Sequence, residues 1–377
     1  MKKLLPALAA ALPFWLQAQP AAGWEACAAV ADGAQRLACY DRWAQGQAPA
    51  APAAPADPAG GGAEAVPAPG PLETAKVTAP PGRSLRLTTR EGCRDERYST
   101  LARFWELEGG SDCGTFGLRS YRPLIAAAAF ADTVNRQPRS GNPANNAPIA
   151  TPYRDKEVRL QLSVRSKLAQ NLLVPLSTGA SDSLWFAYSQ QSYWQLFTPG
   201  ISRPFRSTDH EPELIYIHPL AQDLAGWRLR FGGIGIVHQS NGQSLPYSRS
   251  WNRAYLMAGA ERGNVTVQGR LWRRIHENAA DDDNPGISDF IGRGELQATW
   301  RPRGGDHRLV ATARHSLSRT GRGSLRLEWF RTLSEAGEGP AGGLQLHTQL
   351  FSGYGDTLLD YNRRRTVFTI GLSLAEW

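Results

Sequence analysis

From about Thr115 onward, apolar and polar residues alternate with a period of two. In "EVRLQLSVR", Val158, Leu160, Leu162 and Val164 share one face, and Arg159, Gln161, Ser163 and Arg165 share the other. The pattern returns with Val265, Val267 and Leu271 opposite Thr266, Gln268 and Arg270. It returns again with Leu325, Leu327 and Trp329 opposite Arg326 and Glu328, and with Leu344, Leu346 and Leu350 opposite Gln345, His347 and Gln349. Period two is the signature of a strand with two unlike faces. Turn-rich pieces such as "RPRGGDH" and "SEAGEGPAGG" separate the runs.

A soluble β-sandwich also alternates, but its strands average about 5 or 6 residues. Here about twelve runs of roughly 9 to 14 residues match tilted membrane strands. An even number lets an antiparallel barrel close with both chain ends on one side. The fold predicted is therefore all-β, an antiparallel transmembrane β-barrel of about twelve strands spanning 115–377, with a short N-terminal periplasmic extension. In its final strand, "TVFTIGLSLAEW", Phe368, Ile370, Leu372 and Leu374 share a face. Composition agrees, because 38 Gly and 12 Trp against 2 Met suit short turns and exposed aromatics better than a helical globule.

The chain begins "MKKLLPALAAALPFWLQAQPAAG": two lysines, an apolar stretch, then small residues. This reads as a secretory signal over 1–22, too short to span a membrane. No later segment approaches the roughly 20 apolar residues of a membrane helix, so any insertion uses strands. Four cysteines, all before Gly114, fit an oxidising compartment. The local pairings are Cys27 with Cys39 and Cys93 with Cys113. Metal binding by these cysteines is disfavoured, since there is no CxxC and no nearby histidine pair. Residues 23–45 read as a small Cys-containing helical module, 46–72 as an Ala/Pro/Gly linker, and 73–114 as a lead-in segment. The net charge of +8 comes without any basic run, which argues against nucleic acid as a partner.

One hairpin breaks the two-face pattern. In "VHQSNGQSLPYSRSWNRAY", His238 and Ser240 share parity with Ile234 and Ile236, and Asn252 shares parity with Ala254, Leu256 and Ala258. If the apolar face meets lipid, three polar side chains point into hydrocarbon, which is costly unless they satisfy one another. A Ser–His–Asn relay does so: His238 takes the Ser240 proton and Asn252 fixes the imidazole tautomer. A neutral amide avoids the burial cost of an unpaired carboxylate. HxS by itself is a short, common string, and polar residues gather at barrel rims in any case. His210, His218, His276, His307, His315 and His347 lack metal-type spacing and read as rim or lumen residues. "DDDNP", Asp281 to Pro285, has the look of a cation loop, although acidic turns are usually solvated.

The longer string "HQSNGxSxPxSRSWNR" resembles the signature of the outer membrane phospholipase A family. "GTFGLRSYRP", "YSQQSYWQL", "PFR", "EPEL", "DDNP" and "FSGYGDTLLDYN" match in order, so the resemblance runs from Gly114 to the C-terminus. It implies a twelve-stranded barrel of the cell outer membrane that hydrolyses sn-1 and sn-2 acyl esters of phospholipids and lysophospholipids, depends on calcium, and acts as a homodimer. Carried over by motif position, Ser240 is nucleophile, His238 base and Asn252 orienter, with the Gly242 amide as oxyanion donor. Calcium would be held by the Ser248 hydroxyl and the Gln243 carbonyl of one subunit and the Ser202 carbonyl of the other. Gln190, on the parity of Leu184, Phe186 and Tyr188, would pack across the two-fold. Gln239, Leu245 and Gln243 depart from the family pattern; Leu245 removes a carboxylate that could serve a second calcium site beside Asp283. The rival expectation is a porin-like or structural barrel with a vestigial site.

Overall fold

The computed structural model describes Cys27 and residues 30–47, 92–302, 306–333 and 343–374. The expected leader over 1–22 and nearly all of the 46–72 linker lie outside the described residues. The chain divides into two units, 1–82 and 83–377. In the first, helix α1 (Gly33–Gln47) is joined by the Cys27–Cys39 disulfide, the pairing expected from spacing. Asp32 starts the helix, its carboxylate accepting from the Gln35 amide at 2.9 Å.

The second unit is a closed antiparallel barrel of twelve strands: β1 (Leu124–Ala131), β2 (Lys156–Gln170), β3 (Ser183–Trp194), β4 (Phe205–Leu224), β5 (Trp227–Ser240), β6 (Ser250–Arg262), β7 (Val265–Arg274), β8 (Gly294–Trp300), β9 (His307–His315), β10 (Gly323–Thr332), β11 (Leu344–Gly353) and β12 (Arg365–Leu374). Each strand pairs with its sequence neighbours, and β12 pairs with β1 to close the ring, Phe368 opposite Phe130 and Ile370 opposite Ala128. A three-residue strand, Leu118–Ser120, pairs with β2 ahead of β1. It continues the first strand across an irregularity at Tyr121–Pro123.

The predicted faces are the observed ones, inverted relative to a soluble sandwich. Leu162, Leu256, Leu271, Leu296, Leu327, Phe368 and Ile370 are exposed on the outside, while Arg159, Ser163, Arg165, Glu213, Arg253 and His347 are buried inside. A wall whose outward residues are apolar and inward residues polar is stable in hydrocarbon and not in water.

The lumen is filled rather than open. Charged groups pair across it: Arg206 with Glu157 and Asp360 at 2.7 Å each, Arg253 with Glu211 at 3.2 Å. Toward the end where the chain enters, Trp105, Tyr121, Trp185 and Phe231 form an aromatic core, and the same cluster runs on through Tyr255 to Trp251 near the opposite rim. Two glycines make room for it. Gly235 faces Tyr255 across β5–β6, and Gly259 faces Phe231; a β-carbon at either would fall within 2.4 Å of the opposing ring.

From Gly92 the lead-in packs into this end of the barrel. A short helix, α2 (Thr100–Trp105), is capped by the Ser99 hydroxyl and drives Trp105 against Trp185 and Phe231. The Cys93–Cys113 disulfide, again the spacing pair, ties the segment together. Lys167 of β2 binds Glu106 at 2.7 Å and Asp112 at 2.5 Å, with Lys167 and Glu106 fully buried. Removing one partner of a buried charge pair strands the other. Lys167→Ala is accordingly expected to lower stability by about 3–5 kcal/mol, read as a shifted guanidinium midpoint in micelles; an unshifted midpoint would mean that the lead-in does not brace the barrel.

Candidate active site

The far rim of the barrel carries the hairpin singled out in the sequence. Antiparallel pairing of β5 with β6 sets His238 opposite Asn252, Ser240 opposite Ser250, and Ile236 opposite Ala254. Parity then fixes direction. Ile234 and Ile236 are each 54% exposed and Leu256 63%, so His238, Ser240 and Asn252 lie on the lipid-facing side, at its upper edge.

His238 Nδ1 and Asn252 Oδ1 are 2.8 Å apart. Because the amide oxygen only accepts, Nδ1 carries the proton and Nε2 keeps its lone pair. The tautomer is thus the one a general base needs. Ser240 Oγ accepts from the Gly242 amide at 3.1 Å, and among the described residues the imidazole makes no hydrogen bond to it. The hydroxyl therefore rests on the amide expected to stabilise negative charge. Gly242 has φ +62°, a conformation that disfavours other residues and aims its N–H back at Ser240.

The loop from Asn241 to Arg249 is pinned by two residues of the motif to which sequence alone gave no role. Buried Asn241 accepts from the amides of Gln243 and Arg249 at 3.3 and 2.9 Å and donates to the Tyr247 carbonyl at 2.7 Å. Arg249, fully buried, donates to the carbonyls of Ser248 at 2.6 Å and Asn145 at 2.9 Å. The only hint was the pairing of short polar residues around a turn.

Of the expected calcium ligands, Ser248 donates its hydroxyl to Asp283 at 2.7 Å. Ser250 donates to the same carboxylate oxygen at 3.2 Å, and Asn145 donates to its other oxygen at 3.0 Å. Asp283, read from sequence as part of an acidic turn with the look of a cation loop and as a neighbour of a second calcium site, is thus bonded to the candidate hairpin. Gln243 lies in the pinned loop; Leu245 is exposed. Ser202 stands apart, exposed at φ +60° after the turn Pro199–Ile201 between β3 and β4. Hydroxyl, carboxylate and carbonyl oxygens form a donor set suited to a hard cation, so the residues fit calcium.

The histidines expected at the rim or in the lumen divide. His210 and His218 lie on the outer face of β4, because they share parity with exposed Leu214, so neither is a lumen residue, and His210 stands at the far rim. His210 is paired with Ser240 across β4–β5, and its Nδ1 is 2.7 Å from the Tyr188 hydroxyl. His347 does face the lumen, against Glu328 at 3.1 Å. Gln190 lies outward on β3 as expected, accepting from Tyr188 at 3.1 Å.

The model of the family described as Phospholipase A1 matches residues 101–374. A putative phospholipase A1 of Neisseria meningitidis serogroup B is 33% identical over 362 residues, covering 92% of this chain and 89% of that protein. Phospholipase A1 of Escherichia coli strain K12 is 36% identical over 222 residues, 59% of this chain and 70% of that protein. Among solved structures, outer membrane phospholipase A from Escherichia coli aligns with a TM-score of 0.58 at 32% identity, covering 68% of this chain and 93% of that one. A Salmonella typhi outer membrane phospholipase dimer with bound calcium aligns with a TM-score of 0.59 at 32% identity, covering 69% and 93%.

Asn241→Ala removes three hydrogen bonds from a buried position, a loss of about 1–3 kcal/mol for the groups left unpaired. The expected result is faster tryptic cleavage after Arg249, at the end of the loop, while the barrel strands stay resistant. Cleavage at the wild-type rate would show that Asn241 does not hold the loop.

Proposed function

Because the chain belongs to the phospholipase A1 family and is an outer-membrane β-barrel phospholipase, we propose that it hydrolyses the sn-1 and sn-2 acyl esters of phospholipids and lysophospholipids through Ser240, His238 and Asn252, as a calcium-dependent homodimer. The observation that carries this reading is the 2.8 Å contact of His238 Nδ1 with Asn252 Oδ1 on the lipid-facing side, next to a serine held by a backbone amide.

The steps follow from the chemistry of these groups. Ser240 Oγ attacks the ester carbonyl as His238 Nε2 takes its proton, and the new oxyanion accepts from the Gly242 amide that the hydroxyl has left. Collapse breaks the ester C–O bond, and the imidazolium returns its proton to the departing glycerol oxygen. Water, deprotonated by the same imidazole, then releases the fatty acid and restores Ser240. Asn252 holds the ring throughout and does not exchange a proton. The substrate's position explains the unusual direction of the site. Phospholipid acyl chains lie in the membrane outside the barrel, so a nucleophile aimed into the lumen would not meet them.

Calcium would be held by the Ser248 hydroxyl and Gln243 carbonyl of one protomer with the Ser202 carbonyl of its partner. Asp283, bonded to Ser248, adds a carboxylate beside them. A bound calcium ion supplies positive charge that favours the oxyanion. The exposure of Ser202 away from Ser248's own contacts suits a ligand given to a second copy. The dimeric, calcium-bound state of the Salmonella typhi relative supports the same arrangement. A porin-like role is disfavoured by the lumen, which buried tryptophans and ion pairs fill.

Ser240→Ala is expected to abolish calcium-dependent fatty-acid release from phospholipid–detergent micelles. Release that persisted in the variant would overturn the serine mechanism. Asn252→Ala, which loses only the orienter, should retain more turnover, slower by about ten- to a hundredfold or roughly 1.4–2.7 kcal/mol. Were it as inactive as Ser240→Ala while still folded and dimeric, Asn252 would need a direct part in the chemistry. Gln190→Ala should weaken calcium-dependent crosslinking into dimers without unfolding the monomer, since such amide contacts contribute only about 1 kcal/mol; crosslinking equal to wild type across a dilution series would count against the dimer face.

A further inference from the structure

Asn252 carries no charge, so by itself it does less than an aspartate to favour a protonated imidazole. The carboxylate lies one hydrogen bond further out. Asn252 Nδ2 donates to Glu277 Oε1 at 3.2 Å, while Asn252 Oδ1 faces His238. An asparagine amide can face either way, and only one way gives the imidazole an acceptor. An ionised carboxylate can only accept, so it claims the NH2 end and turns the oxygen toward His238.

Glu277 is itself held in place. Its Oε2 accepts from Arg274, the last residue of β7, at 2.7 Å, and Arg274 also binds Asp282 at 2.7 and 3.0 Å. The Ile275 amide donates to the Asn252 carbonyl at 2.8 Å, so the segment leaving β7 stays in register with the first turns of β6. The Glu277 side chain is 19% exposed, which leaves its charge only partly screened.

We propose that Glu277 is a positioning residue of the hydrolytic relay: it fixes which way the Asn252 amide faces and, through that amide, favours the imidazolium formed when His238 takes the Ser240 proton. This rests on the Ser240–His238–Asn252 reading given above. The proton moves only from Ser240 Oγ to His238 Nε2 and onward to the leaving oxygen; Glu277 takes no part in the transfer. The arrangement keeps a full negative charge at the polar rim, on the arginine, and transmits its effect to the lipid-facing imidazole through a neutral group. A carboxylate directly on His238 would be burdened by desolvation.

A loop tether would affect turnover whether or not Asn252 is present, whereas a residue acting through Asn252 would not. The test is a double-mutant cycle on the full-length protein, in phospholipid–detergent micelles with calcium, using wild type, Glu277→Gln, Asn252→Ala and the double variant, with Ser240→Ala alongside. Glu277→Gln keeps the shape of the side chain and removes its charge. We expect it to lower kcat by about three- to tenfold with KM unchanged, and to change kcat by less than about twofold in the Asn252→Ala background. Glu277→Asp should recover part of the loss. An equal fold-loss in both backgrounds, a loss confined to KM, or no loss in the wild-type background would each overturn the role of Glu277 while Ser240→Ala stays inactive. Turnover persisting in Ser240→Ala would instead bring down the relay, and the proposal with it. Heat-dependent electrophoretic mobility, which separates folded from unfolded barrels, confirms that each variant is folded.

Discussion

A chain that passes through hydrocarbon has no water to satisfy its backbone, so every strand edge must be paired. Here that constraint is met by the contact of β12 with β1, which removes the last free edge. Closure forces each side chain to point either to lipid or to the lumen. The rest follows from that division. Leucines and phenylalanines crowd the outside, and arginines, glutamates and serines must find partners inside, where Glu157, Arg206 and Asp360 do so. The lead-in, with Glu106 and Asp112 on Lys167, completes the same accounting at one end.

The same division makes the active hairpin conspicuous. Three polar side chains on the wrong side of the wall would be destabilising if each stood alone. They stand at the rim, where Asn252 takes Nδ1 of His238 and Gly242 takes Oγ of Ser240, so most of their hydrogen-bonding demand is met locally. Their direction also suits the proposed reaction, because the ester of a phospholipid belongs to a molecule of the membrane.

Charge is kept one step from the hydrocarbon. Asp283 gathers Ser248, Ser250 and Asn145 beneath the loop, and Glu277 and Asp282 share Arg274 behind Asn252. Both acidic groups sit in the segment between β7 and β8, which is hydrogen-bonded to the candidate hairpin. That connection ties the orientation of the amide, the stiffness of the 241–249 loop and the proposed cation ligands to one short stretch of chain.

Much of this was legible along the chain. Alternation over long runs determined strand, face and barrel, since a side-chain period of two leaves no third direction; the parity of His238, Ser240 and Asn252 with exposed isoleucine and leucine determined that they face lipid. Cysteine spacing pointed to both disulfides. The tertiary structure alone decided what lies across a strand or a loop. His210 was expected at the rim or in the lumen, and pairing sets it at the rim against Ser240, on an outer face that its sequence neighbours did not announce. The partners of Asp283 and Glu277 stand 35 and 25 positions away in sequence, so their hydrogen bonds to Ser248 and Asn252 could not be read along the chain. The hydrogen bond that the Gly242 amide donates to Ser240 Oγ likewise depends on the turn after β5, which backbone parity does not constrain. Periodicity fixes a direction for each residue along its own strand; which groups meet at the end of that direction depends on register and on loops that only the closed barrel brings together.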